Sequence, residues 1–403
     1  MNAAHGGPLA GVRIVDLTSV VMGPFATQIL ASLGADVIKV ESPDGDNMRH
    51  VGPMNHPGMG HIFLHANQGK RSVVLDLKTP QGREAVMRLI AHSDVMVSNI
   101  RPKALARLGL DYEAVREVNP KLIHVSCCGF GLDGPYAARA AYDDLIQGAS
   151  GLSWLMSQSG AETPRYAPTT LADRVTGLHT VYSITAALYE RERSGQGQSV
   201  VVPMFESMVQ FVLGDHLGGL SFDPPNGNAG YSRLLTKHRR PYETKDGHLC
   251  VLIYNDKQWR AFFSAIGQAD RFNSDKRFSN HTSRAQHIDE VYAEVSELMR
   301  TRTTQEWRSL LDDADIPNMP MNSPHDLLED PHLAAVDFIK HVQHPTEGSI
   351  RTVGNPTKWS RTECVQPSPA PCLGEHSVEV FEELGYSAAE IAALQGAGVV
   401  AKA

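Results

Sequence analysis

Along the first half of the chain, short apolar blocks alternate with longer amphipathic ones, and polar turns separate them. Val12 to Leu17 (VRIVDL) reads as a buried strand. A turn at Met22-Gly23-Pro24 opens a helix from Phe25 to Leu33, Gly34 stops it, and Asp36 to Glu41 (DVIKVE) is the next strand. A βαβ unit within about 30 residues predicts parallel strands with a right-handed crossover. The pattern repeats. After the Gly/Pro/His-rich loop Ser42 to His61 come a strand at Ser72 to Leu77 and a helix at Gln81 to Ala91, with Thr79 and Pro80 as cap and first residue. Further strands follow at Val95 to Ser98 and Leu122 to Ser126. Between them Asn99-Ile100-Arg101-Pro102 leads into a helix carrying Arg107, and Gly129 to Tyr142 reads as a loop. The expected architecture is α/β, around a parallel sheet.

The stretch Ala167 to Met208 departs from that rhythm. It predicts a long helix from Asp173 whose interior, Val175 to Leu188, is apolar on almost every face, with small residues at Gly177, Ser183, Ala186 and Ala187. Such a helix is expected to be buried on all sides. The charged quartet Glu190 to Arg193 and the turn Ser194 to Gly197 end it, and Ser199 to Val202 is a strand. Asp173 sits in the first turn, where the helix dipole and backbone N–H groups would keep a carboxylate ionised. It is either a plain helix cap or a nucleophile on a rigid element.

Beyond Met208 the texture changes. A loop-like segment from Phe222 ends in the basic run Lys237-His238-Arg239-Arg240. It is followed by a hairpin over Tyr242 to Tyr254 around Asp246-Gly247, and by helices at Lys257 to Ile266, Ala285 to Met299 and Thr304 to Asp313. β-rich segments return at Phe338 to His344 and Ile350 to Val353, and two helices close the chain, one to Leu384 and one over Ser387 to Leu394. The expected divisions are a large domain over 1–222, a small α+β domain over 223–329, and a return segment, 330–403.

Composition narrows the function classes. The 403 residues are too many for one simple core, and a net charge of −8 leaves no electrostatic footprint for nucleic acid. No apolar run reaches the ~18–20 residues a membrane helix needs, and MNAAHGGPLAG lacks the regions of a signal peptide. Five scattered cysteines predict reduced thiols in a cytoplasm, with neither a disulfide frame nor a zinc site. His61 and His65 stand four apart but without further ligands, so no metal is expected. The glycines of the first βα turn do not spell GxGxxG, which leaves a generic anion-friendly corner at Val21 to Pro24. Lys70, Arg71, Lys78, Arg101, Lys103 and Arg107 gather near strand ends, either for a phosphate-bearing ligand or as ordinary solvated charges.

Several blocks together resemble one family: GVRIVDLT with VVMGP and LGADVIKVE, then KRSVVLDLKTP, SNIRPKALARLGL, AYDDLIQGASGL, LADRVTG, ALYERERSGQGQ, DPHLAA, HPTEGSIRTVGNP and LGEH. The chain resembles the family III CoA-transferases, the superfamily of formyl-CoA transferase, carnitine CoA-transferase and α-methylacyl-CoA racemase. The resemblance implies a Rossmann-like large domain that the return segment 330–403 completes and whose parallel sheet is built from both chain ends, a smaller α+β domain, and an interlaced homodimer. It implies that Asp173 is the covalently acylated nucleophile. It also implies that CoA, a substrate and not a permanently bound cofactor, is held by Val21, Met22, Leu75, Lys78, Asn99, Ile100, Arg101 and Arg107, with Tyr142 beside the thioester. The partners so implied are an acyl-CoA, a carboxylic acid and a second copy of the chain. The activity implied is transfer of CoA through aspartyl anhydride and aspartyl-CoA thioester intermediates.

The same resemblance offers an alternative, the racemase or epimerase, which needs an acid/base pair and carries a His where this chain has Tyr142. A tyrosine, with a reference pKa of about 10, is a poor base near neutrality. Val21 stands where formyl-CoA transferase has a glutamine, Ser42 where it has an arginine, and Asn226 to Gly230 is the nearest match to its glycine-rich lid. These departures point away from the formyl/oxalate pair and leave the acyl donor and acceptor open, with succinyl-CoA the common donor among related enzymes.

Overall fold

Six strands form one parallel sheet: β1 (Arg13–Leu17), β2 (Asp36–Glu41), β3 (Lys70–Val74), β4 (Val95–Ser98), β5 (Ile123–Cys128) and β6 (Gln198–Pro203). Their order is β3-β2-β1-β4-β5-β6, the doubly wound arrangement in which the chain reverses direction across the sheet between β1 and β4. Ile14 pairs with Val37 on one side and Val95 on the other, which makes β1 a central strand. β4, with the sequence VMVS, is buried at every position, as a strand covered on both faces must be. The structure, a computed structural model, describes residues 6–161, 163–364 and 366–400. Residues 1–5, the start of the segment read above for a leader, lie outside them.

The described residues divide into two compact units. One is drawn from Met1–Ile146, Pro168–Met208 and Pro331–Ala403, and the other from Gln147–Ala167 and Val209–Asp330. The second unit therefore takes in 147–167 and starts at 209, beside the expected breaks at 222/223 and 329/330. It contains an antiparallel sheet of β7 (Tyr242–Glu243), β8 (His248–Val251) and β9 (Asn318–Pro320). Its core is aromatic: Trp259, Phe262, Phe263, Phe278 and Trp307 pack together, and Trp307 Nε1 donates to the Met299 carbonyl at 2.7 Å.

The parallel sheet does not take strands from both chain ends. All six lie between Arg13 and Pro203. The late β-rich segments pair with each other as an antiparallel ribbon, β10 (Ile339–His344) with β11 (Gly348–Val353). The return segment instead contributes helices Ser377–Glu383 and Ala388–Gly396. Their Val380, Phe381, Leu384 and Ile391, with Val399 and Val400 beyond, join the core formed by Val15, Ile38, Val73 and Val86. A helix covers a sheet face with its apolar stripe, whereas β10 and β11 bury only the polar His344 and Thr352 and have little apolar surface to add to a core.

Three further expectations are corrected. The long helix spans Leu171–Ser194, so Asp173 is its third residue and not its first. It is not buried all round, since Leu178, Tyr182 and Tyr189 are 52%, 56% and 69% exposed along one face. The expected helix Ala285 to Met299 is two, His281–Gln286 and Ile288–Met299, with His287 between them.

Candidate functional site

At the carboxyl ends of β1 and β4, where the strand order reverses, a doubly wound sheet opens its crevice. Here that place holds a cleft of about 290 Å3. Val21 and Met22 come from the turn after β1, Asn99 to Pro102 from the turn after β4, and Cys127 to Gly129 from the end of β5. The loop before the helix Asp143–Ala149 supplies Arg139 to Tyr142, and Asp173 enters from the long helix. The structure thus brings Val21, Met22, Asn99, Ile100, Arg101, Tyr142 and Asp173 into one lining.

Leu75, Lys78 and Arg107 are not part of that lining. Leu75 is buried in the core, and its N–H donates to the Glu41 carbonyl. Lys78 and Arg107 are exposed. The basic cluster read from sequence also separates. Lys70 is fully buried, its Nζ 3.0 Å from Asp16 Oδ2, and Arg71 is engaged by Asp36 and Glu383, so neither is available to an anionic ligand.

The first turn of the cleft is strained. Val20 has φ +74°, a region that a β-branched residue rarely enters and that costs about 1–3 kcal/mol. Its neighbours hold it there. Ser19 N–H donates to Asn99 Oδ1 at 3.1 Å, and Asn99 Nδ2 donates to the Ser19 carbonyl at 2.8 Å. Val20 N–H donates to Asp46 Oδ1 at 3.1 Å, and Lys39 Nζ bridges Asp46 Oδ2 and the Thr18 carbonyl. Asp16, Lys39, Lys70 and Asp46 are all buried, so a set of internal ion pairs fixes the floor of the corner. The side chain of Asn99 is therefore already committed to the corner.

Asp173 is held opposite by helix packing. Gly177, one turn further on, lies against the helix Met22–Ser32; a Cβ there would come within 2.7 Å of Phe25 and 3.0 Å of the Met22 carbonyl. Close approach of the two helices thus requires glycine. Asp173 is 8% exposed, and its own N–H donates to Asp143 Oδ1 at 2.9 Å. Its carboxylate caps nothing and has neither a hydrogen bond nor an ion pair among the described residues.

The structure gives the Asp173 carboxylate none of the backbone hydrogen bonds expected to keep it ionised. Burial pushes its carboxyl up to about 7; the Asp143 carboxylate adds to the rise and Arg174 opposes it. The side chain gains no backbone N–H that would offset the desolvation. The two cysteines of the cleft are poor rivals as nucleophiles, since burial pushes the Cys127 thiol up to about 12 and that of Cys128 to about 11.

Asp143 is the residue the sequence reading passed over, although it stood in the quoted AYDDL block. Nothing local distinguishes its carboxylate from that of Asp144; only the fold brings it to the Asp173 amide. Tyr142 is 68% exposed at the rim. The Asn226 to Gly230 segment is pinned to the turn before it, with Gly219 N–H donating to the Asn228 carbonyl at 2.9 Å and Gly230 N–H to the His216 carbonyl at 2.8 Å. Among the described residues no group of three His, Cys, Asp or Glu could hold a metal ion, and no helix is long and apolar enough to cross a membrane.

The chain is similar to known proteins over nearly its whole length. Residues 9–377 match the model of the family described as CoA-transferase family III. The succinate–glutarate CoA-transferase of Agrobacterium fabrum is 36% identical over 395 residues, covering 94% of this chain and 96% of its own. The formyl-CoA:oxalate CoA-transferase of Escherichia coli O157:H7 is 33% identical over 416 residues, covering 96% and 98%. A solved structure described as a CAIB/BAIF family protein from Brucella suis superimposes with a TM-score of 0.80 at 31% identity, covering 94% of this chain and all of that one.

Proposed function

The chain belongs to CoA-transferase family III and is a CoA-transferase, and from that premise we propose that Asp173 is the group on which CoA changes partners. The observation that carries the reading is its carboxylate, buried in a cleft at the strand ends and without a hydrogen bond or ion pair. An ionised carboxylate with no partner has lost the solvent that makes it a poor nucleophile. Acylation turns it into a neutral anhydride or thioester. The burial that penalises the charged resting form therefore favours the intermediates.

The bonds exchange in four steps. A carboxylate oxygen of Asp173 attacks the donor thioester carbonyl, the C–S bond breaks, and CoA leaves as thiolate from a mixed anhydride. The thiolate attacks the aspartyl carbonyl, releasing the donor acid as carboxylate and leaving an aspartyl-CoA thioester. The acceptor carboxylate attacks that thioester and expels the thiolate again, forming a second anhydride. The thiolate then attacks the acceptor's acyl carbon, giving the new acyl-CoA and free Asp173. Each tetrahedral oxyanion needs N–H donors, and the turn at Val21 and Met22 is the element of the cleft that can offer them. Asn99, Ile100 and Arg101 line the same cleft for the acyl-CoA. To the exposed Lys78 and Arg107 we assign its outlying phosphates, and to Leu75, whose N–H is taken by the Glu41 carbonyl, a contact through its own carbonyl.

The racemase reading is not favoured, because no histidine lines the cleft among the described residues. For the acyl pair we take short dicarboxylates of the succinate–glutarate kind as the class, on the likeness to the Agrobacterium enzyme and the apolar Val21. A homodimer of interlaced rings belongs to the same reading. The exposed stripe of Leu178, Tyr182 and Tyr189 on the longest helix supports it, since a monomer gains nothing by leaving those rings in water. A cytoplasmic location belongs to the same reading, supported by five cysteines that are all free.

The test is intact-protein mass after mixing with succinyl-CoA. The wild type should gain the mass of bound CoA, Asp173→Asn should not, and its turnover should fall by roughly 10⁴-fold or more. A CoA adduct on Asp173→Asn would remove Asp173 from the chemistry.

A further inference from the structure

We propose that the second unit carries its own binding site for a short organic carboxylate, in a cavity of about 310 Å3 walled by Arg233, Arg239 and Arg240. The cavity shares no lining residue with the Asp173 cleft, and no Asp or Glu lines it. Its inner wall is apolar and rigid, being made of Tyr242, Ile253, Trp259 and Val295, all buried in the aromatic core.

Two of the three arginines are not spent on the protein. Arg239 and Arg240 make no ion pair among the described residues, and only their backbone N–H groups are engaged. Arg233 donates through Nε to the Tyr292 hydroxyl at 3.0 Å, a neutral partner, and its guanidinium carbon lies 5.3 Å from the centre of the Tyr254 ring. Arg300, beside the neighbouring hollow, shows the contrast: it pairs with Glu243 and Glu297. Like charges around one cavity repel, and in a protein of net charge −8 their concentration without a counter-charge favours entry of an anion. Planar guanidinium groups suit a carboxylate or a phosphate equally. The apolar wall decides between them, because it contacts the methylene chain of a carboxylic acid and offers nothing to a bare phosphate.

The proposal rests on the transferase reading only in the choice of probe, glutarate. Calorimetric titration of glutarate without any acyl-CoA should show binding to the wild type, weakened about tenfold or more in Arg239→Ala/Arg240→Ala, the loss expected for charge-assisted hydrogen bonds. Neutral glutaramide should not bind. Cys250 lines the cavity and reports its occupancy: glutarate should slow its alkylation by iodoacetamide in the wild type and not in the double variant. Glutarate affinity unchanged in the double variant, or inorganic phosphate or ADP binding with the same arginine dependence while glutarate does not, would overturn the proposal. The double variant should still form the CoA adduct on Asp173, so loss of glutarate binding and failure of the transferase reading are separate results.

Discussion

At the scale of single residues, the role proposed for Asp173 links the chemistry to pH. A nucleophilic carboxylate must be ionised, and its pKa is raised to about 7, so kcat/KM for acyl-CoA should climb from pH 6 to pH 8 and level off above. A pH–rate profile checks this; a plateau already reached at pH 5 would mean the carboxylate is not desolvated as described. Stability runs the other way. As pH rises the unfolded chain loses this proton first, near 3.8, so the contribution of Asp173 to stability declines from there through about 7 and stays low above. Asp173→Asn should therefore melt higher than the wild type at pH 8 and differ less at pH 5. As a candidate the residue was legible in the sequence and its surroundings were not, because a helix-start position says nothing about burial or about Asp143 beside it. Val20 is a second case. No sequence pattern announces a valine at φ +74°, since its strain is imposed by Asn99 and Asp46 from other strand ends. Asn99→Ala should lower kcat/KM by about tenfold or more, as loss of a clamp on a strained turn allows. Adding Val20→Gly, which tolerates positive φ, should recover part of that loss. No recovery would show that Asn99 acts on substrate alone.

At the scale of elements, the parallel strands and their crossover helices follow from apolar period and turn chemistry, and Val95 to Ser98 and Thr304 to Asp313 match to the residue. Two kinds of error share one cause. The Leu171–Ser194 helix read as buried all round because its outer face is apolar too, and a pattern cannot state what covers that face. Lys70 and Arg71 read as either ligand or solvated charges, and are neither, because their partners Asp16, Asp36 and Glu383 are distant in sequence. Helix packing sets where Asp173 stands, and Gly177 is the contact that sets the packing. Gly177→Val must push the helix from Met22 and Phe25, costing about 1–3 kcal/mol of stability as overpacking does. It should also lower kcat/KM more than tenfold although Asp173 is untouched. Wild-type kinetics in Gly177→Val would show that this contact does not set the nucleophile's position.

At the scale of the whole molecule, the dimer reading predicts that sedimentation at nanomolar concentration shows no folded monomer, because threaded rings separate only by unfolding. A monomer that keeps its secondary structure on dilution would refute the threading. Tyr182→Glu, placing charge on the exposed stripe, should reduce the yield of soluble dimer. The way the return segment closes the large core bears on how the protein is made. The last strand of the parallel sheet ends at Pro203, yet Val380, Phe381, Leu384, Ile391, Val399 and Val400 belong to that sheet's core. A ribosome adding ~5–20 residues per second needs about 10–40 s to pass from the last strand to those residues. Throughout that interval the nascent sheet has an apolar face covered only in part, by residues such as Val86, Leu89, Ile90 and Val115 of the earlier helices, while most of the second unit emerges and can fold. Synthesis thus exposes the larger half of the protein to aggregation and to chaperones until the final helices arrive, and a stop codon shortly before Ser377 would leave that exposure permanent.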